Sequence, residues 1–317
     1  MKKLVSYVLP IYNEIGNINH LYSTLDKLFT LNNNYIYEII FVNDGSTDNS
    51  LGELIKIQQK DKRVNVINFS RNFGHQIAVT AGLDYSKGDA VIIMDSDMQD
   101  PPKVSFDLLK KWEDGYEVVY AQRKSRQDTI FKKVTAKCFY FTLRKLAAIE
   151  IPRDTGDFRL LDRRVVNELY KFREKDRFLR GLVSYVGFKQ TGVLFDRDKR
   201  YAGTTSYPLR KMLRFASDGI MGFSTVPLQL ITRTGFLISF VSFLGILYAL
   251  FMKLLRPQVT VPGWTLLIIA VLFIGGIQII MLGVLGGYIG RIYSESQRRP
   301  LYIISAIFSR TINDNKK

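Results

Sequence analysis

The chain of 317 residues carries a single cysteine, Cys138. No internal disulfide can form and a cysteine-ligated metal cluster is excluded, which fits a chain facing the cytosol. Cys138 itself reads as a small buried side chain. Internal repeats, low-complexity tracts and proline-rich linkers are absent before Arg197. A signal peptide is not expected either: Met1-Lys2-Lys3 precedes an apolar stretch from Leu4 to Ile11, but Pro10, Asn13 and Glu14 interrupt it with no small-residue cleavage site. That stretch reads as a first strand. Charge is absent from Thr234 to Met252 and again from Pro257 to Gly290. Each run is long enough to cross about 30 Å of hydrocarbon.

Apolar residues make up 47% of the chain, which supplies a substantial core and excludes a disordered polymer. The net charge of +16 implies an anionic partner: nucleic acid, an acidic lipid surface or a phosphorylated substrate. The two charge-free runs predict a transmembrane hairpin, since two such segments in succession fit a bilayer better than a soluble core. Arg210, Lys211, Arg214 and Arg233 precede it and Arg291, Arg298, Arg299 and Arg310 follow it, against Lys253 and Arg256 between the runs. By the positive-inside rule both long ends, and so both termini, are cytoplasmic in a multi-pass protein of the cell membrane. The second run holds Gly275, Gly276, Gly283, Gly286, Gly287 and Gly290, which let helices approach closely, within the hairpin or between the subunits of a homo-oligomer.

Ahead of the hairpin, apolar runs at Leu4–Leu9, Tyr37–Val42, Val64–Phe69, Ala90–Met94 and Glu117–Ala121 alternate with helical patterns. The alternation predicts an α/β fold with a mostly parallel sheet and helices on both faces. In such sheets ligands bind beyond the carboxyl ends of the strands. The residues found there are Tyr12-Asn13-Glu14, Asn43-Asp44-Gly45-Ser46, Arg71-Asn72, Asp95-Ser96-Asp97 and Arg123. Singly, each cluster is equally a turn, a helix cap or a solvated loop. Five polar clusters at one edge point to a site. Asp95 and Asp97, two apart in extended chain, direct carboxylates to the same side, where they can share a hard divalent cation such as Mg²⁺ or Mn²⁺. Gln99 offers a further oxygen, and Pro101-Pro102 stops the loop abruptly.

These residues resemble glycosyltransferase family 2 of the GT-A fold, in its polyprenyl-phosphate branch of dolichol-phosphate mannose synthases and bactoprenol glucosyltransferases. The resemblance rests on Val8-Leu9-Pro10-Ile11-Tyr12-Asn13-Glu14, Val42-Asn43-Asp44-Gly45-Ser46-Thr47-Asp48, Arg71-Asn72-Phe73-Gly74, Asp95-Ser96-Asp97-Met98-Gln99-Asp100-Pro101-Pro102 and Gly156-Asp157-Phe158-Arg159-Leu160. It implies that Pro10, Tyr12, Glu14, Asp44 and Arg71 surround the nucleoside of a nucleotide sugar, with Asp95 closing the pocket. Asp97 and Gln99, with Asp95, are then the metal ligands. Asp157, on the loop Asp154–Phe158, is implied beside the reacting centre as a base or as a positioning group. Arg200, in the segment Arg200–Tyr207, matches the loop that closes over the phosphates; the family's Lys is replaced by Ser206, and Lys199 and Lys211 are the candidates to substitute. Arg123, Arg126 and Arg200 are candidates for the phosphate of a polyprenyl acceptor, a guanidinium being able to form two parallel hydrogen bonds to it.

The stretch from Arg123 to Lys145 holds eight Lys or Arg against one acid, Asp128, interleaved with Phe131, Val134, Phe139 and Phe141. It predicts a basic amphipathic helix on the membrane surface or, alternatively, a helix packing its apolar face on the sheet. The resulting organisation is a cytoplasmic GT-A domain over 1–206, a juxtamembrane amphipathic helix over 207–228, two transmembrane helices within 229–290 (about 231–254 and 264–290) and a cytoplasmic tail over 291–317. The expected activity is metal-dependent, inverting transfer of a hexose, from UDP-glucose or a related UDP-sugar, to a polyprenyl phosphate for cell-envelope glycosylation. A processive polysaccharide synthase of the same fold is an alternative, although the Gln-x-x-Arg-Trp motif and the additional spans such enzymes carry are absent. A basic membrane-tethered binding protein is another. The acidic Asp-x-Asp edge argues against nucleic acid as the partner.

Overall fold

The computed structural model describes residues 2–124, 152, 155–196, 226–255 and 263–309. The juxtamembrane helix expected over 207–228 and the basic helix expected from Arg123 to Lys145 lie outside these residues, apart from their first or last few. The chain divides into two compact units.

The first unit is built on runs of Val, Ile, Leu and Phe that are buried on both faces, as strands covered by helices on either side must be. β1 (Leu4–Ile11), β2 (Ile36–Asn43), β3 (Val64–Phe69) and β4 (Ala90–Ile93) alternate with α1 (Ile15–Leu31), α2 (Ser50–Lys60) and α3 (His75–Tyr85). α4 (Val104–Glu113) and β5 (Val118–Arg123) follow, then β6 (Thr155–Asp162), α5 (Arg163–Leu169), α6 (Leu179–Tyr185) and β7 (Gln190–Phe195). The eight-stranded sheet runs β7-β5-β6-β4-β1-β2-β3-β8, with β8 formed by Ile304–Phe308. β1 pairs in parallel with β2 and β4, and β2 with β3. β6 lies antiparallel to both β4 and β5, so β5 points the same way as β4. β8 is antiparallel to β3, with Phe69 opposite Ile304.

Tyr7, Phe41, Phe158, Leu9, Ile11 and Ile39 are fully buried in this sheet and its helical layers. α3 packs unusually close to β1: a Cβ on Gly82 would lie 2.1 Å from Val8 Cγ1, so only glycine lets the helix sit there. The expected mostly parallel sheet is the one observed. Over 291–309 the chain differs from the expected tail: it continues as helix to Ser296 and then returns to the sheet as β8. An edge strand exposes unpaired backbone groups, and β8 covers that edge of β3.

The second unit holds α7 (Val226–Leu255) and α8 (Trp264–Ser296), which contact each other. Both are long and apolar enough to cross a membrane, and the candidate spans Leu228–Gly245 and Phe273–Ser296 bury none of their described residues within the protein. The helices are longer than the expected 231–254 and 264–290.

Candidate active site

Because β1 to β5 all point one way, the clusters that follow them meet at one edge. Polar contacts between the loops set that edge. Asn13, held at φ 54°, accepts the Thr47 N–H at 2.8 Å through Oδ1, and its own N–H donates to Ser46 Oγ at 3.0 Å. The Ser46 hydroxyl donates to Asn43 Oδ1 at 2.6 Å, and Asn43 Nδ2 donates to Asn68 Oδ1 at 2.7 Å. Asn13, Asn43 and Ser46 thus fix loop geometry across three strand ends. Asp48 Oδ1 accepts the Ser50 N–H at 3.0 Å just ahead of α2.

Gly45 brings this loop onto the next one. At φ +65° a side chain is disfavoured, and a Cβ would lie 2.3 Å from the carbonyl carbon of Arg71. The close approach lets the buried Asp44 accept the Phe73 N–H at 2.7 Å and the Gly74 N–H at 2.9 Å. Burial raises the Asp44 pKa, and these two N–H groups oppose the rise.

A cavity of about 400 Å³ opens beside Asp44. Of the residues expected to bind nucleotide, Pro10, Tyr12, Glu14, Asp44 and Asp95 line it, as does Asp97 from the expected metal set. Arg71 is not among its lining residues: its guanidinium sits 4.0 Å from the Phe73 ring and donates to the Asn72 carbonyl at 2.9 Å. Gln99 lies just past Asp97 and gives its N–H to Asp97 Oδ1 at 3.1 Å.

Asp157 reaches the same edge from the opposite direction. It is the third residue of β6 rather than a loop residue, and because β6 is antiparallel its beginning lies where β4 and β5 end. Arg123, the last residue of β5, is brought beside it: a Cβ on Gly156 would be 3.4 Å from Arg123 Nη2. Asp157 Oδ1 accepts Arg180 Nε–H at 2.8 Å, and Oδ2 accepts Gln76 Nε2–H at 3.1 Å and lies 3.2 Å from His75 Nε2. Burial opposes the charge of Asp157, but Arg180 and His75 outweigh it and hold the carboxyl well below the usual carboxylate range. Burial likewise pulls the His75 pKa down, and the hydrogen bond to Asp157 and the charges of Asp95 and Asp157 reverse this, raising it to about 9. Arg126 and Arg200, with Lys199, Ser206 and Lys211, fall outside the described residues.

A sheet whose carboxyl edge presents a nucleoside-sized cavity, an Asp-x-Asp pair and a clamped acid has a counterpart among known families. The model of Glycosyl transferase family 2 matches residues 6–170. The chain belongs to glycosyl transferase family 2. It is 49% identical over 300 residues to an uncharacterized glycosyltransferase of Bacillus subtilis, covering 94% of this chain and 92% of that one. It is 39% identical over 301 residues to the bactoprenol glucosyl transferase of Shigella phage SfV, covering 95% of this chain and 97% of that one. The solved mannosyl-3-phosphoglycerate synthase of Rubrobacter xylanophilus aligns with TM-score 0.47 at 16% identity over 74% of this chain and 75% of that one.

The protein is therefore a glycosyltransferase with an α/β, mostly parallel sheet. Its donor set suits a hard divalent cation. Asp95 Oδ1 is buried and accepts no hydrogen bond, and burial together with the charges of Asp157 and Asp97 raises the Asp95 pKa, His75 opposing. A cation would relieve that repulsion. Among the described residues no three His, Cys, Asp or Glu side chains gather to hold an ion by themselves. Asp95 and Asp97, which line the cavity, with Gln99 just beyond them, are the residues that could hold such an ion. In this glycosyltransferase the sequence reading missed His75, Gln76 and Arg180. His75 and Gln76 directly follow the Arg71–Gly74 motif, a signal available in the sequence; Arg180 lies 23 residues from Asp157, and nothing local marks it.

Proposed function

We propose that this glycosyltransferase transfers a hexose from a nucleotide sugar, UDP-glucose or a related UDP-sugar, to a polyprenyl phosphate at the cytoplasmic face of a membrane. The observation that carries the reading is one cavity in which Asp44 and Tyr12 face the same space as the Asp95–Asp97 pair. The acceptor is supported by relatives named bactoprenol glucosyl transferase.

An acceptor phosphate oxygen attacks the anomeric carbon, and the bond from that carbon to the diphosphate oxygen breaks, its electron pair leaving with the nucleoside diphosphate. One displacement inverts the anomeric centre. A phosphate monoester is already ionised at neutral pH, its second pKa being about 6, so no strong base is needed. Asp157 suits a positioning role: its oxygens already accept from Arg180 and Gln76 and contact His75, which leaves a fixed anion rather than a proton acceptor. Asp95, Asp97 and Gln99 would hold Mg²⁺ or Mn²⁺, which when bound neutralises charge on the departing diphosphate. Arg123, with Arg126 and Arg200, would orient the acceptor phosphate. α7 and α8 would span the bilayer, with the domain before them and the segment after them on the basic, cytoplasmic side.

Membranes containing the protein, incubated with a panel of radiolabelled nucleotide sugars and then extracted with organic solvent, test donor, reaction and acceptor together. Label is expected in a phosphate-linked lipid and absent with Asp97→Ala. Label confined to a growing polymer, or lipid label unaffected by Asp97→Ala, would overturn the reading.

A further inference from the structure

The loop Arg71–Gly74 is gripped from two directions, and the second grip comes from a part of the chain far away in sequence. On the site side, Gly45 and Asp44 press on Arg71–Gly74 as described. On the other, the segment after α8 returns to the end of β3. The Ser70 N–H donates to the Ile303 carbonyl at 3.0 Å, in continuation of the β3–β8 pairing. The Tyr302 ring stacks on Phe69, the last residue of β3, with centroids 5.2 Å apart and planes 12° from parallel. Phe69 in turn meets Phe73 edge to face, centroids 5.6 Å apart. Phe73 carries the N–H that Asp44 accepts.

Tyr302 is also tied to the helix that presents His75. Its hydroxyl donates at 2.8 Å to Asp84 Oδ2, near the end of α3, and the same oxygen receives Arg173 Nη1 at 2.7 Å. The ring is thereby fixed at both its face and its tip.

We propose that Tyr302 is a positioning residue for the donor nucleotide: by stacking on Phe69 it holds Phe73 and Gly74 where their N–H groups fix Asp44 in the cavity. The inference rests on the reading of that cavity as the nucleotide site. The chain following the second apolar helix then serves donor binding as well as covering an edge. Removing the stack frees the loop to move, and binding must re-order it each time, so donor affinity suffers before the chemical step does.

The test uses the full chain in detergent, with UDP as the binding probe and steady-state transfer as the second readout. Tyr302→Leu, which keeps apolar bulk but loses the stack, is expected to weaken UDP binding and raise the donor KM about three- to tenfold, as loss of one aromatic pair allows. kcat should change less than about twofold, since no group touching the reacting atoms has moved. Tyr302→Phe keeps the stack and loses only the bond to Asp84, and is expected to restore most of the affinity. An unchanged UDP affinity in Tyr302→Leu, or a loss confined to kcat, would overturn the inference. Asp44→Ala separates the two levels: if it leaves UDP binding intact the cavity reading fails, whereas weak binding in Asp44→Ala with normal binding in Tyr302→Leu removes only the role of Tyr302. Hydrogen exchange on the unaltered protein decides the matter even if Tyr302→Leu does not fold. UDP should slow exchange both at 71–74 and at 302–308, and protection of the first segment alone contradicts the coupling.

Discussion

The two units of this protein use the same apolar residue types and treat them oppositely. In the sheet, Val, Ile, Leu and Phe are withdrawn from the surface, and the acids Asp44, Asp95, Asp97 and Asp157 collect at one edge. In α7 and α8, Phe236 is 73% exposed, Leu282 65% and Ile279 71%. Water would penalise such surfaces heavily, at about 25 cal/mol for each Å² of apolar area left exposed. The difference teaches that the first unit makes its own apolar interior whereas the second leaves its apolar side chains outward, the surface that the proposed span of a bilayer would cover.

Asp97→Ala sharpens the contrast most, because it removes a group at the polar edge without touching either apolar region. Transfer should fall at least about a thousandfold, the several kcal/mol that a bound cation contributes, with the protein still in the membrane fraction. Retained activity would mean that the chemistry lies elsewhere. Next comes Phe41→Ala in the centre of β2. This fully buried ring should cost about 3–5 kcal/mol, read as a lowered unfolding midpoint in detergent. A charge in the other unit acts on location instead: Leu282→Arg should cost about 2.5–3.5 kcal/mol of membrane insertion, if it falls near mid-membrane. That loss appears as protein shifting out of the membrane fraction. The smallest effect sets the comparison in its plainest form. Leu244→Ala, on the exposed surface of α7, should change the unfolding midpoint by less than about 1 kcal/mol, because detergent or lipid surrounds the side chain before and after unfolding. A Leu244→Ala effect as large as that of Phe41→Ala would show that the hairpin is packed against protein, and the comparison would break.

Much of the first unit was legible because its signals are local. Each of the strands β1 to β5 is a mostly apolar run followed by a polar cluster, so the edge carrying Asp44, Asp95 and Asp97 could be located by looking just past the runs. Asp157 escaped that rule: β6 is antiparallel and delivers its beginning to the edge, so the residue appeared to sit in a loop. The helix pair was equally legible, since absence of charge over such lengths is a property of the sequence alone.

What the sequence by itself determined is therefore the strands β1 to β5 of a mostly parallel sheet, the acid pair and the two apolar helices. These follow from periodicity and composition within windows of a few residues, where the physics is that of neighbouring side chains. Only the tertiary structure decided that Arg180 and Gln76 would hold Asp157, that Arg71 would lie on Phe73, and that the chain beyond α8 would return to pair with β3 and stack Tyr302 on Phe69. Those contacts join segments separated by up to 242 residues, from Val66 to Phe308. Their formation depends on loop closure and on the packing of the whole sheet, which no local pattern records.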